Sequence, residues 1–208
     1  MQYKAFYHCL KNNFFEDAKH FQLIPIRMED IELIRVWRNA QIAILRQNSA
    51  LSKEDQISYF QNIIFPSTLL GQPPQILFSF LFKKVLIGYG GLVHIAWEDK
   101  RAEVSFLVDP KRSANQSIYA NDLLHFLNLI CYVSFKELSL HRLTTETFAF
   151  RKNHIALCEA FGFKYEGILR KHVFKQNQWT DSILHGLLST EAPLLDPSIR
   201  PLAAVPFV

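Results

Sequence analysis

The sequence predicts an α/β (α+β) domain whose strands and helices follow the order β-α-α-β-β-β-α-β-α-β-β. Three observations carry this expectation. Short alternating or wholly apolar runs, bounded by Gly, Pro or paired Lys, read as strands. Between them, apolar residues recur at helical spacing behind polar openings. The 208 residues, 49% hydrophobic and 20% charged with eighteen Phe, suffice for one large core. The expected count is about seven strands flanked by about four helices.

Residues 1–20 read as an N-terminal extension without clear periodicity, followed by a domain over 21–190 and a Pro-rich tail over 191–208. FQLIPIRM (21–28) opens the sheet. Asp30 starts a helix on which Ile31, Ile34 and Trp37 share a face. Ser52 and Asp55 form a variant capping box for a second helix, with Ile57, Phe60, Ile63 and Ile64 as its apolar face and Pro66 closing it. ILFSFLF (76–82) is apolar throughout and reads as a buried strand. Lys83-Lys84 turns it into LIGYGGLVHIAW (86–97), with a weak point at Gly90-Gly91.

Residues 102–108 alternate, with Glu103, Ser105 and Leu107 on one face and Val104, Phe106 and Val108 on the other. Asp109-Pro110 ends this strand. The polar stretch 111–117 precedes a helix to about Phe135, with a stripe of Ala120, Leu124, Leu127, Cys131 and Phe135. A strand at 141–147, a helix at 151–161 and strands at 163–175 and 179–188 complete the order. The tail from Ala192 holds four Pro in seventeen residues and is expected to cross the surface irregularly.

A net charge of +4 is too mild to point to nucleic acid and is compatible with a polyanionic ligand. Cys9, Cys131 and Cys158 lack CxxC spacing, so neither a disulfide framework nor a metal site is expected, and a reducing cytoplasm is the natural compartment. Charged residues interrupt the first twenty positions, which argues against a signal peptide. The apolar stretch 123–135 is too short to span a bilayer, so no membrane partner is expected.

Residues 141–188 carry the most specific signal. A basic strand start at His141-Arg142 leads to a helix ending in Phe161-Gly162-Phe163. Tyr165-Glu166-Gly167, the basic Arg170-Lys171-His172 and Trp179-Thr180-Asp181 follow. In that order and spacing the stretch resembles the C-terminal half of the GNAT N-acetyltransferase superfamily. Within it the likeness is to the branch of ribosomal-protein N-terminal and nucleotide-amino-sugar acetyltransferases. Ile34-Arg35-Val36-Trp37-Arg38-Asn39 looks like the opening helix of the amino-sugar enzymes.

The resemblance implies the GNAT fold: one mixed central sheet, splayed beside its central strand. It implies acetyl-CoA as co-substrate, held between strands 102–108 and 141–147, with its pantetheine arm along Phe106, Leu107 and Val108. An ordinary core strand is the alternative. The family's pyrophosphate loop, Arg/Gln-x-x-Gly-x-Gly/Ala, matches Lys111 to Ala120. No Gly stands between Gly91 and Gly162, so Arg112, Asn115, Gln116, Ser117, Ile118, Tyr119 and Ala120 would present the donors at a helix N-terminus. A capped loop binding nothing is the other reading. Arg151 falls where the family has a CoA-contacting Asn, with Asn153 two places on. Cys158 stands where many relatives carry a Tyr that protonates the leaving thiolate, and reads as a buried helix residue.

Glu103 matches the Glu of the family's fourth strand and is the leading general base; the alternative is a strand Glu paired with a basic neighbour. Ser105 and Tyr119 are further proton donors. Trp37, Arg38, Asn39, Arg46, Gln47 and Tyr89 are the candidate acceptor contacts, with Trp37 equally a core anchor. His94, His125 and His141 read as surface or core histidines. Glu166, Arg170, Trp179 and Asp181 read as a structural set on the last hairpin. The implied activity is acetyl transfer from acetyl-CoA to a primary amine (a small molecule or amino sugar, or a protein N-terminus) by direct attack in a ternary complex. A non-catalytic binding module with a degenerate loop is the rival reading, and a homodimer through the terminal segments is left open.

Overall fold

A computed structural model describes residues 6–193 and 197–201. Residues 1–5, 194–196 and 202–208, which belong to the predicted N-terminal extension and Pro-rich tail, lie outside the described residues. The strands are β1 (Phe15–Glu16), β2 (Phe21–Pro25), β3 (Ile76–Phe82), β4 (Val85–Ala96), β5 (Arg101–Val108), β6 (Arg142–Phe148), β7 (Lys164–Lys175), β8 (Gln178–Leu188) and β9 (Arg200–Pro201). They form one sheet in the order β7-β8-β6-β5-β4-β3-β2-β1-β9.

The sheet is mixed, as expected, because β5 and β6 run parallel while the other described neighbours run antiparallel. Nine strands stand where about seven were predicted. The extra two come from the terminal segments: Phe15 and Glu16 pair with Leu23 and Gln22 on one side and with Pro201 and Arg200 on the other. Tyr7, Leu10 and Phe15 are buried, so this segment docks through isolated large side chains, which leave no periodic signal.

The helices are α1 (Ile31–Ala40), α2 (Lys53–Tyr59), α3 (Phe65–Ser67), α4 (Pro110–Ser113), α5 (Gln116–Tyr132) and α6 (Lys152–Phe161). Burial on both faces of β3 explains its unbroken apolar sequence. Ile76, Phe78 and Phe80 meet Leu123, Phe126, Leu127 and Ile130 of α5 in one layer. Leu77, Tyr89 and Leu107 meet Ile31, Ile34 and Trp37 of α1 and Phe60 and Ile64 in the other. The alternation read along β5 holds, with Val104, Phe106 and Val108 toward the α5 layer and Leu107 toward α1.

Asp30 stands at the start of α1 as read, and its buried carboxylate accepts from Arg27 at 2.7 Å twice and from Ser79 Oγ at 2.5 Å. Three local expectations are corrected. Ile63 is 49% exposed, because a π-helical turn over Phe60–Ile64 adds a residue; Ile64 is buried as read, and Phe65 takes the place of Ile63. Pro66 does not itself close the helix: it is the second residue of α3, in a helical run continuous with Phe60–Ile64 that ends one residue later at Ser67. Leu124 is exposed, and the buried face of α5 runs through Leu123, Phe126, Leu127 and Ile130. The Ser52 cap is present: its hydroxyl accepts from Asp55 N at 3.0 Å and donates to the Asp55 carboxylate at 2.7 Å. Lys83 and Lys84 both have positive φ and make the tight β3–β4 turn. Cys9, Cys131 and Cys158 are free thiols.

Candidate active site

Strands β5 and β6 hold register only at Arg101–Glu103 against Arg142–Thr144 and then diverge. Asp109 N donates to Ile87 O on β4, so by the alternation of a strand the amides of Val104, Phe106 and Val108 turn the other way, into the splay. The Val108 carbonyl is met there by Gln41 Nε2 at 2.9 Å. Phe106 therefore offers a backbone donor and acceptor to a ligand in the gap, whereas the Leu107 amide faces β4 and its side chain fills the α1 layer.

Three adjoining cavities run through this gap. An outer cleft of about 750 Å³ lies between the end of α1, the α4–α5 corner and the start of α6. An inner cavity of about 190 Å³ occupies the splay itself, and an acceptor-side pocket of about 460 Å³ lies between α1, α2 and the β3–β4 pair. The outer and inner spaces share Ile44, Arg151 and His154, and the inner and acceptor-side spaces share Arg38, Val93 and Ser105. The inner cavity thus adjoins both of the others.

Gln116, Tyr119, Ala120, Arg151 and Asn153 line the outer cleft, as the loop reading expects. The other loop residues are differently placed. Arg112 is engaged by the fully buried Asp122, with bonds of 2.6 and 2.7 Å. That contact raises the Arg112 pKa further. Asn115 caps α5 by accepting from Ile118 N at 3.0 Å, and Ser117 and Ile118 face solvent away from the cleft.

At the mouth of the splay, Arg46 Nη2 bridges Glu103 Oε1 at 2.7 Å and Glu146 Oε2 at 2.9 Å. His94 Nδ1 meets the second oxygen of Glu103 at 3.0 Å, and His172 flanks Glu146 at 3.2 Å. Glu103 is therefore both cleft-lining and paired with basic neighbours. Ser105, one face-step further along β5, stands where the inner and acceptor-side cavities meet.

Arg38 donates to Gln47 Oε1 at 3.0 Å and to the Tyr89 hydroxyl, and it lines both the inner cavity and the acceptor-side pocket. Asn39 is a loop clamp: its Oδ1 accepts from Gln47 Nε2 and Leu51 N, and its Nδ2 donates to Leu51 O, each at 2.9 Å. Lys175, at the tip of the last hairpin, donates to Gln47 O at 2.7 Å and fixes the same loop from the other side. Trp37 is 5% exposed and anchors the α1 layer, so of its two readings the structure places it in the core. Gln56 Nε2 in the acceptor-side pocket and Thr145 Oγ1 in the inner cavity are buried without a hydrogen-bond partner among the described residues. Buried polar atoms of this kind favour a ligand that supplies the missing partner.

Sequence reasoning passed over His154, Glu146 and Gln41. The signal for His154 was available, since Arg151, His154 and Cys158 follow i, i+3 and i+4 steps along one helix face. Gln41 and Glu146 carried none, because their roles come from chain segments far apart in sequence. Among the described residues no three His, Cys, Asp or Glu are grouped to hold a metal ion, and no helix is long and apolar enough to cross a membrane.

A family model described as an acetyltransferase (GNAT) domain matches residues 23–184. No curated protein sequence matches the chain. Among solved structures, the chain is similar to spermidine N-acetyltransferase from Vibrio cholerae in complex with CoA and spermine. That match has a TM-score of 0.73 and 18% identity, over 83% of this chain and 97% of that one. A second is a chimera of spermidine N-acetyltransferase from Vibrio cholerae and hSSAT, with a TM-score of 0.71 and 19% identity over 82% and 96%. A third is a putative acetyltransferase, with a TM-score of 0.62 and 17% identity over 85% and 87%.

Proposed function

Because the chain belongs to the GNAT acetyltransferase family, we propose that it moves the acetyl group of acetyl-CoA to a primary amine by direct attack in a ternary complex. The observation that carries this reading is the row of three adjoining cavities at the β5–β6 splay, which offers neighbouring spaces to a donor and an acceptor. Acetyl-CoA supplies an acyl thioester, an electrophilic carbonyl carbon with a thiolate leaving group.

The residues present suit such a donor. Phe106 presents an N–H and C=O to an amide-bearing arm, and the same open edge offers a donor for a developing oxyanion. Arg151 and Lys152 line the outer cleft as counter-charges for phosphates. Glu103 receives the proton of an arriving ammonium, directly or through water, while Arg46 and His94 hold its carboxylate in place.

For the acceptor we favour a small amine such as an amino sugar over a polyamine or a protein N-terminus. Asp55 is the one carboxylate among the described residues of the acceptor-side pocket, and Arg38 lines the same pocket. A polycation finds little counter-charge in that lining. A ring with hydroxyl and carbonyl groups finds Gln56 Nε2, Tyr59 and Tyr89.

The capped Asn115 and the paired Arg112 favour the rival reading, a binding module that has lost transfer. Two measurements decide. Calorimetry is expected to give micromolar binding of acetyl-CoA. Thiol release is expected with at least one of glucosamine, spermidine and a short unblocked peptide, and fastest with glucosamine. No detectable binding at millimolar acetyl-CoA refutes the enzyme reading, and tight binding without thiol release supports the module.

A further inference from the structure

One nitrogen atom bridges two carboxylates at the mouth of the splay. Arg46 Nη2 stands 2.7 Å from Glu103 Oε1 and 2.9 Å from Glu146 Oε2, and both glutamate side chains are mostly buried. All three residues line the inner cavity together with Phe106, whose backbone is open to a ligand. The contact differs from the structural arginine pairs of the protein. Arg27 and Arg112 each grip a buried carboxylate with both Nε and Nη2. Arg46 uses Nη2 alone, its Nε and Nη1 meet no partner among the described residues, and its side chain is 44% exposed.

The spot held by Nη2 suits an ammonium better than a guanidinium. A terminal guanidinium nitrogen carries two N–H groups, and a primary ammonium carries three. The inner cavity has further oxygens to meet the third: Thr145 Oγ1 and Glu146 Oε1 are buried without a hydrogen-bond partner among the described residues. His172 Nδ1 lies 3.2 Å from that Glu146 oxygen but outside hydrogen-bond geometry, and it meets Ser182 Oγ at the same distance. Moving Arg46 aside needs no loop opening, because the backbone on either side is pinned. Lys175 Nζ holds Gln47 O at 2.7 Å, and Ile44 and Leu45 pack on the α1 layer. Only the Arg46 side chain has to change rotamer, toward solvent.

We propose that Glu103 and Glu146 together form the ammonium site of the acceptor, and that Arg46 is its built-in competitor. Arg46 holds Glu103 until the ammonium arrives and displaces the guanidinium, while His94 Nδ1 keeps the second oxygen of Glu103 at 3.0 Å. Exchange of one cation for another keeps both carboxylates compensated as the acceptor binds. The nitrogen then lies in the cavity that Phe106 also lines, beside the backbone edge offered to the donor. The part played in turnover rests on the acetyl-transfer reading. Acetylation turns the bound nitrogen into an amide, which carries no charge and a single N–H. The amide competes poorly with Arg46, whose return clears the site for product release.

Nitrogen NMR of arginine-labelled protein tests the site without turnover, the Arg46 side-chain signal being identified by its loss in Arg46→Met. Methylammonium is expected to move that signal saturably in the wild type, while N-methylacetamide and sodium chloride at the same concentration leave it in place. An equal effect of sodium chloride, which marks screening alone, or no effect of methylammonium overturns the inference. Kinetics with the fastest amine of the panel above supply the second readout. Arg46→Met removes the competitor and is expected to lower KM for the amine about 5-fold at unchanged KM for acetyl-CoA. A merely structural Arg46 leaves that KM unchanged or raises it on replacement, and either result overturns the inference. Adding Glu146→Gln to Arg46→Met is expected to raise KM for the amine about 10-fold. The same change in the wild type costs less, because it also loosens the competitor; equal effects on the two backgrounds overturn the inference. A wild type that transfers to no amine overturns the acetyl-transfer reading, and the methylammonium titration then decides the site on its own.

Discussion

Arg112 closes over Asp122 with two hydrogen bonds of 2.6 and 2.7 Å, and the carboxylate it covers is fully buried. The pair locks the short helix α4 onto α5, and the guanidinium also lies 5.9 Å from the centroid of the Phe82 ring. It thus shapes the corner of the outer cleft from behind. Arg112→Ala strands a buried charge, which costs about 3–5 kcal/mol when one partner of such a pair is removed. For a chain of this size the expected fall in Tm is about 6–20 °C. Calorimetric melting checks this. Replacing both partners, as Arg112→Met with Asp122→Leu, should recover much of the loss.

Gly90 is equally tight. A Cβ there would stand 2.2 Å from the Ser105 carbonyl oxygen and 2.8 Å from the Phe126 ring. Gly90→Ala therefore pushes β4 away from β5 beside Ser105, which lines the inner and acceptor-side cavities. The expected destabilisation is about 3 kcal/mol, the upper end of overpacking costs, read from the urea midpoint.

Tyr7 ties the N-terminal segment to the core. Its hydroxyl accepts from Leu77 N at 2.8 Å and donates to Leu77 O at 3.0 Å, and burial holds the phenol well above its ordinary pKa. Tyr7→Phe leaves both backbone groups unpaired in the core, a loss of about 1–3 kcal/mol in equilibrium unfolding.

Glu103→Gln keeps the shape of the splay and removes the base. Turnover is expected to fall at least about 100-fold while acetyl-CoA affinity, measured by calorimetry, stays unchanged. Unchanged turnover removes Glu103 from the mechanism.

His154 gives a pH signature. Its folded pKa of about 3 lies below its ordinary 6.5, so below pH 6.5 the unfolded chain binds a proton that the folded chain does not. Stability from this group is whole above pH 6.5 and is lost as pH falls toward 3. The slope is about 1.4 kcal/mol per pH unit. Urea unfolding of wild type and His154→Phe at pH 7 and pH 5 should show the smaller acid loss in the variant.

The strand boundaries at 76–82 and 102–108 and the helix behind Arg151 were legible because burial on one or both faces imposes a period on the sequence. The Ser52 cap was legible because it is local. The failures are local as well: a π turn displaced Ile63, and the buried face of α5 passes through Leu123 rather than Leu124. Candidate site residues could be named only as positions. Their partners could not, because Arg46 reaches Glu103 and Glu146 from 57 and 100 residues away.

The sequence by itself determined the element order, the two faces of β5 and membership of the fold, since each depends on side-chain period or on motif spacing. The tertiary structure alone decided three things. It turned the terminal segments into strands, it assigned Arg112 to Asp122, and it joined Tyr119 to His154 across 35 residues. Hydrogen bonds and ion pairs act over a few ångströms of space, and only the folded chain sets which residues lie within that distance.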